Sequence, residues 1–158
     1  MKLLPIRGIK NHKKGVIIAY TKVDDEDFEI LSKYPWYSTS KKNRLTYVEN
    51  KKLGKLHRFI MGYPFKKEVD HKNGDTLDNQ RKNLRICLKF QNMANMKIID
   101  RNKSGFKNIK EKPKGRYEVS FKNNCKTIYI GTFLSLNDAI KARDKAVKKI
   151  RGEFARLG

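Results

Sequence analysis

The sequence predicts an α+β chain, and three observations carry that prediction. Short runs rich in β-branched and aromatic residues recur through residue 97, separated by clusters of Asn, Asp, Gly and Lys. After residue 103 the pattern restarts with two strictly alternating strands and one amphipathic helix. A length of 158 residues holds one compact domain or two small ones. The expected architecture is a strand-rich lead-in, a strand–loop–strand–helix unit, and a small three-stranded antiparallel sheet packed on one helix.

Taken in order, residues 15–20 (GVIIAY) read as a strand. Residues 24–33 (DDEDFEILSK) open with carboxylates suited to a helix N-terminus and place Phe28 and Leu31 three apart, which predicts a short helix. The carboxylates themselves read as solvated first-turn acids. Trp36 and Tyr37, after Pro35, are expected to plug a core. Residues 44–50 (RLTYVEN) and 53–60 (LGKLHRFI) look like paired strands joined by a turn at 50–52. Residues 68–71 (EVDH) lead into turn clusters at 72–75 and 78–80, then a strand-like run at 84–88 (LRICL) and a helix at 89–96 (KFQNMANM). Residues 98–103 read as a hinge. Beyond it, Tyr117, Val119 and Phe121 share one face of a strand, with Arg116, Glu118, Ser120 and Lys122 on the other. A turn at 123–124 leads to residues 127–133, with Ile128 and Ile130 inward and Thr127 and Tyr129 outward. Ser135 caps the last helix, Asp138 completes a capping-box-like pair, and Leu136, Ala139, Ile140, Val147 and Ile150 form its apolar stripe.

Charge narrows the class of partner. The formal net charge is +22, from 38 Lys+Arg against 16 Asp+Glu, and both halves of the chain are basic. Self-repulsion of that size opposes compaction, and a polyanion relieves it. Contact with nucleic-acid phosphates releases counterions, so binding is expected to weaken steeply with salt. A membrane role is disfavoured: no apolar run approaches the roughly 18 residues of a span, and no helix combines a basic face with a bulky apolar one. Hydrophobic residues make up 38% and aromatics 10%, enough for folded cores in place of a disordered polycation. Cys87 and Cys125 lie in no CxxC pair, and the N-terminus lacks the apolar core of a signal peptide, so a cytoplasmic location is expected.

One stretch carries chemistry. Hydrolysing a phosphodiester needs an activated water, neutralisation of charge at phosphorus, and stabilisation of the leaving oxygen. A hard divalent cation on oxygen ligands supplies the last two, and a neutral imidazole the first. Asp70 and Asn92 offer oxygen ligands and His71 a base. Adjacent strand residues point to opposite sides, which lets Asp70 face a metal while His71 faces the phosphate. Residues 57–92, HRFIMGYPFKKEVDHKNGDTLDNQRKNLRICLKFQN, resemble the HNH (ββα-metal) motif of phage and intron-encoded endonucleases. The resemblance implies that Asp70 and Asn92 bind the metal at a solvent-facing site and that His71 is the general base. It further implies that Asn83 braces the loop and orients the histidine. Gln80 departs from the family pattern, where an Arg is usual. Two readings of His57 stay open, an edge-of-site residue or a hydrogen-bonded core histidine. His12 reads as surface and Cys87 as a packed strand residue.

Residues 104–158 resemble the ethylene-response-factor (Apetala-type) DNA-binding domain, through SGFKNI (104–109), GRY (115–117), IGTF (130–133) and GEFARL (152–157). In that family the sheet lies in the major groove. The resemblance implies DNA contacts from Lys107, Lys110, Lys112, Lys114, Ser120, Lys122, Thr127 and Tyr129, and Arg116 shares the outward face. Lys114 stands for a Trp of the plant pattern, Ser120 for a Glu, Thr127 for an Arg, and Arg143 for an aromatic. Lysine lacks the guanidinium fork that reads guanine, so phosphate positioning is expected over base reading. The basic stretch at 41–44 reads as a backbone contact or a turn.

These resemblances imply a nuclease domain over residues 1–97 with its core motif at 53–97, a linker at 98–103, and a DNA-binding domain at 104–158. The expected activity is hydrolysis of duplex DNA by a homing- or phage-type enzyme using Mg2+, with Mn2+ as a substitute. No small-molecule cofactor or membrane is expected, the chain is a monomer or a homodimer, and its place is the nucleoid or an infected host's cytoplasm. The alternatives are a non-cutting DNA-binding regulator on the same modules and a basic RNA-associated protein.

Overall fold

A computed structural model describes residues 1–8, 15–41, 44–95 and 103–157, and the chain separates into two units, Met1–Cys87 and Leu88–Gly158. His12, Lys42, Asn43 and the expected hinge at 98–102 lie outside the described residues.

The first unit is built on a five-stranded sheet in the order β2-β1-β3-β4-β5. Its strands are β1 (Lys2–Arg7), β2 (Ile17–Val23), β3 (Trp36–Lys41), β4 (Arg44–Asn50) and β5 (Gly54–Lys55). Strand β1 was not expected from the sequence. Leu4 and Ile6 alternate inward and are almost fully buried. Pro5 has no N–H to give and precedes Ile6, the first residue of the parallel β1–β3 pairing. Helix α1 (Asp25–Leu31) follows β2 as expected. Leu4, Ile6, Val23, Leu31, Trp36, Val48, Leu56, Ile60, Val69 and Leu84 form one core. Trp36 is 1% exposed, and its indole N–H donates to the Leu31 carbonyl at 2.9 Å, so its polar atom is satisfied inside the core.

The expected strand at 53–60 is corrected. Strand β5 is only Gly54–Lys55, opened by Gly54 at a left-handed φ of 65. Leu56–Ile60 is helix α2, which buries Leu56, His57 and Ile60. That i, i+1, i+4 set is a helical face and no strand face presents it. The turn at 50–52 forms as expected: the Asn50 side-chain oxygen accepts from the N–H groups of Lys52 and Leu53.

Strands β6 (Glu68–His71) and β7 (Leu84–Cys87) pair antiparallel, with Asp70 opposite Arg85 and His71 opposite Leu84. The polar loop between them is tied down on two sides. It forms a parallel bridge from Asp78 to Lys22 on β2, where the Thr21 hydroxyl and the Lys22 N–H both donate to the Leu77 carbonyl, at 2.7 and 2.8 Å. On the other side the Asp27 carboxylate accepts two hydrogen bonds from Arg81, at 2.9 and 2.6 Å. Asp24 accepts from the Arg81 N–H at 2.7 Å and from Gln80 at 3.2 Å. Asp24 and Asp27 therefore hold this loop, and the reading of the acids as solvated is corrected for these two, while Asp25 and Glu26 are exposed. The trio Asp24, Glu26 and Asp27 is close enough to share a cation, and Arg81 already supplies one.

In the second unit α3 (Lys89–Asn95) comes first. The antiparallel strands β8 (Ile109–Lys112), β9 (Arg116–Asn123) and β10 (Lys126–Phe133) then lie in the order β10-β9-β8, followed by α4 (Leu136–Arg151). Ile109, Val119 and Ala139 are its core, flanked by Phe106, Tyr117, Ile130, Phe133, Leu136 and Ile140. The β9–β10 turn is at Asn124 and Cys125, both at positive φ, one residue beyond the expected position. Ser135 accepts from the Asp138 N–H, as the capping pattern implied. Arg143 is 2% exposed, and one of its nitrogens donates to the carbonyls of Lys107 and Leu157, at 2.9 and 2.6 Å. A buried guanidinium here replaces aromatic packing with hydrogen bonds that tie the strand-leading loop and the chain end to α4. Among the described residues no helix is long and apolar enough to cross a membrane.

Asp27→Ala is expected to lower the unfolding free energy by about 1 kcal/mol, because Arg81 is about half exposed and water screens the pair. Urea unfolding measures this; an unchanged midpoint would mean that Thr21 and Lys22 hold the loop alone.

Candidate active site

Alternation along β6 turns Asp70 and His71 to opposite sides of the strand. Both are buried, at 6% and 4% exposure, against the expectation that Asp70 faces solvent. Burial of a carboxylate requires a partner. The cross-strand neighbour Arg85 supplies it, with Nε and one terminal nitrogen both donating to Asp70 Oδ2, at 3.0 and 2.7 Å.

His71 lies in an aromatic cluster. Its ring is 5.0 Å from that of His57 in an edge-to-face arrangement and 6.4 Å from Tyr47, whose ring is 5.3 Å from His57. Lys55 stands 4.6 Å above the Tyr47 ring. His71 Nε2 is 3.1 Å from the side-chain oxygen of Asn79. Burial pushes the His71 pKa below the usual histidine value, opposed by the bond to Asn79 and by the charges of Asp70, Asp75 and Asp78. His57 is pushed down to about 3, by burial first and then by His71, Lys55 and Arg58. Both imidazoles are neutral at neutral pH. His57 is a buried histidine whose ring lies beside that of His71.

Asn83 ends a single 3-10 turn (Arg81–Asn83) and braces the loop. Its side-chain oxygen accepts from the Asn73 N–H at 3.1 Å, and its amide nitrogen donates to the Asp78 carbonyl at 2.7 Å. Asn73 and Asp75 continue the bracing, accepting from the N–H groups of Asp75 and Leu77. This Asx ladder is why the loop is dense in Asn and Asp. The amide bonded to His71 Nε2, however, belongs to Asn79, which sequence reading had absorbed into a turn. The available signal was a second Asn, four residues before Asn83, in a stretch with more amides than a turn needs. Gln80 is turned to Asp24. The hairpin therefore gathers Asp70, His71 and Asn83, and Asn92 lies on α3 in the second unit, where its N–H donates to the Leu88 carbonyl.

Of the residues implied for DNA contact, Lys110, Lys112, Arg116, Ser120, Lys122, Thr127 and Tyr129 occupy one face of the second unit's sheet, opposite the one that buries Ile109, Val119 and Phe121. Tyr129 is 61% exposed. Glu118 lies among them and pairs with Lys112 at 2.8 Å, which holds its carboxyl below the usual range. Lys114 is in the β8–β9 turn at φ 63. Lys107 stands apart, ahead of β8: its ammonium donates to the Ala94 carbonyl, and burial lowers its pKa to about 8, with Arg151 and Arg156 adding to the shift.

Unfolding returns His57 from a pKa of about 3 to about 6.5, so between those values the unfolded chain binds the extra proton. The stability that neutral His57 contributes is full above about pH 6.5 and declines as the pH falls toward 3. Denaturant unfolding at about pH 7 and about pH 5 is expected to show a smaller loss in His57→Gln than in the wild type; equal losses would place the acid sensitivity elsewhere.

No family model matches the chain, and no solved structure matches it. Among curated proteins, one described as an uncharacterised HNH endonuclease of Acanthamoeba polyphaga mimivirus is 31% identical over 138 residues. The match spans 82% of this chain and 70% of the viral protein. A buried Asp-His pair on a hairpin whose loop is braced by asparagines accompanies that likeness, and on it the chain belongs to the HNH endonuclease family.

Proposed function

We propose that this protein is a metal-dependent endonuclease that hydrolyses phosphodiester bonds in duplex DNA, with His71 as general base. The observation that carries the reading is the neutral, buried imidazole of His71 beside the ion-paired carboxylate of Asp70 at the end of β6. An imidazole neutral at pH 7 offers a ring nitrogen that can accept a proton from water.

Asp70 and Asn92 are the proposed metal ligands. The donor set fits a hard divalent cation: one carboxylate and one amide oxygen, with no thiolate among them. Mg2+ is the proposed ion and Mn2+ its substitute; when bound it would neutralise charge at the phosphorus and on the leaving oxygen. Arg85 donates twice to Asp70 Oδ2 and orients the carboxylate. Asn83 keeps the loop in place.

The second unit is the proposed grip on DNA. Its three strands and the α4 that follows them suit the Apetala-type resemblance, and the outward face carries Lys110, Arg116, Lys122 and Tyr129. Glu118 on that face repels phosphate, so the contacts on either side of it are expected to position the duplex without sharp base reading. A homing or phage setting is the proposed biological context.

Wild-type protein is expected to nick supercoiled plasmid with Mg2+ and with Mn2+, and His71→Ala to lose about a hundredfold or more. Equal background in both proteins, under either ion, would leave a DNA-binding protein that does not cut. For the metal ligand, Asp70→Asn is the cleaner variant, because Asp70→Ala strands Arg85 and costs several kcal/mol of stability, about 3 or more. In binding titrations, replacing Lys110, Arg116 and Lys122 together by Ala is expected to reduce the slope of log affinity against log salt by about 2–3. An unchanged slope would place the DNA contacts elsewhere.

A further inference from the structure

A set of buried polar groups in the first unit admits a single arrangement of hydrogens. Thr21, on β2, is fully buried, and its hydroxyl oxygen is 2.7 Å from the Leu77 carbonyl. A carbonyl can only accept, so the one hydroxyl hydrogen is committed there. Toward its other neighbour, the Asn79 side chain 2.8 Å away, Thr21 can then only accept. The Asn79 amide nitrogen must face Thr21. The Thr76 carbonyl, 3.2 Å from the same nitrogen, demands the same orientation independently. That leaves the amide oxygen facing His71 Nε2 at 3.1 Å, and an amide oxygen needs a hydrogen on the nitrogen it meets.

Asn79 is 1% exposed and Thr21 0%, so reversing the amide would set its oxygen against the Thr76 carbonyl and against a Thr21 hydroxyl whose hydrogen is already given to Leu77, and a buried site strongly penalises such unmet polar groups. The Asn79 backbone reinforces the placement, its N–H donating to the Lys22 carbonyl at 2.9 Å. A neutral imidazole carries a single hydrogen. We propose that Thr21 and Asn79 are positioning residues that lock His71 with its hydrogen on Nε2 and its basic lone pair on Nδ1, so that the N-terminal sheet sets which nitrogen can take a proton. The lock stands on geometry alone; its consequence for cleavage rests on the reading of His71 as the general base.

Two-bond nitrogen–proton correlation spectra of the imidazoles, recorded above neutral pH on the full-length 15N-labelled protein without metal, test the lock directly. In the wild type, His71 is expected to show the pattern of hydrogen on Nε2. Asn79→Ala and, to a smaller degree, Thr21→Val should draw the two nitrogen shifts toward each other, the mark of exchange between tautomers, and Thr21→Ser should restore the wild-type pattern. Should Asn79→Ala fail to fold, the Thr21→Val and Thr21→Ser pair still carries the test. Hydrogen on Nδ1 in the wild type overturns the proposal, as does a wild-type pattern that survives in the folded variants lacking the Asn79 amide or the Thr21 hydroxyl. In plasmid nicking, Asn79→Ala is expected to lose about ten- to a hundredfold in kcat at unchanged KM. A locked ring in a protein that never nicks would overturn the nuclease reading and leave the lock standing; nicking by a protein whose ring is not locked would do the reverse.

Discussion

The loop between β6 and β7 is polar, and each of its flanking strands is only four residues long. Little apolar burial is available to hold such a segment still, yet the side chain it supports must keep one orientation. The solution is the amide of Asn79, buried where the loop crosses β2, with its nitrogen toward Thr21 and Thr76 and its oxygen toward His71. Because Thr21, Asn79 and His71 are buried, a wrong pairing among them costs more than the net worth of a single hydrogen bond. The orientation of His71 is therefore inherited from the five-stranded sheet, whose own order is set by ordinary apolar burial around Trp36.

Charge plays two roles in this molecule. The large positive excess suits a polyanion partner, but several arginines bond within the fold. Arg81 joins the loop to α1, Arg85 neutralises Asp70 within the hairpin, and Arg143 joins α4 to two carbonyls in the second unit. Guanidinium suits these places because its planar fork makes several hydrogen bonds at once and never loses its charge. The proposed phosphate contacts on the outward sheet face are mostly lysines, compact charges on long stems that tolerate an uneven surface.

Local signals marked most elements well. Alternation placed β9 and β10, the Ser135 cap placed the start of α4, and the 44–50 strand kept its limits. Errors fell where elements are short. The supposed strand at 53–60 is strand only at Gly54–Lys55, and Leu56–Ile60 is α2. Strand β1 has only two inward residues, too few for alternation to stand out until β2 and β3 flank it.

The sequence by itself pointed to the family and to the candidate residues Asp70, His71, Asn83 and Asn92, which stand at separations that a short hairpin and a following helix imply whatever surrounds them. It also determined the outward face of the second sheet, because a period of two assigns each side chain to a face without reference to the rest of the chain. Only the tertiary structure decided that Asp70 is buried against Arg85, that the acids of α1 bind Arg81, and that Asn79 rather than Asn83 meets the His71 ring. Each of those contacts but the first joins residues far apart in the chain or in a turn whose path is set by β2. Hydrogen-bond direction depends on angles and shielding that residue spacing does not encode. The Asp-His pair was legible in the residues, and the nitrogen of His71 that carries the hydrogen became legible only once Thr21 and Leu77 were seen beside Asn79.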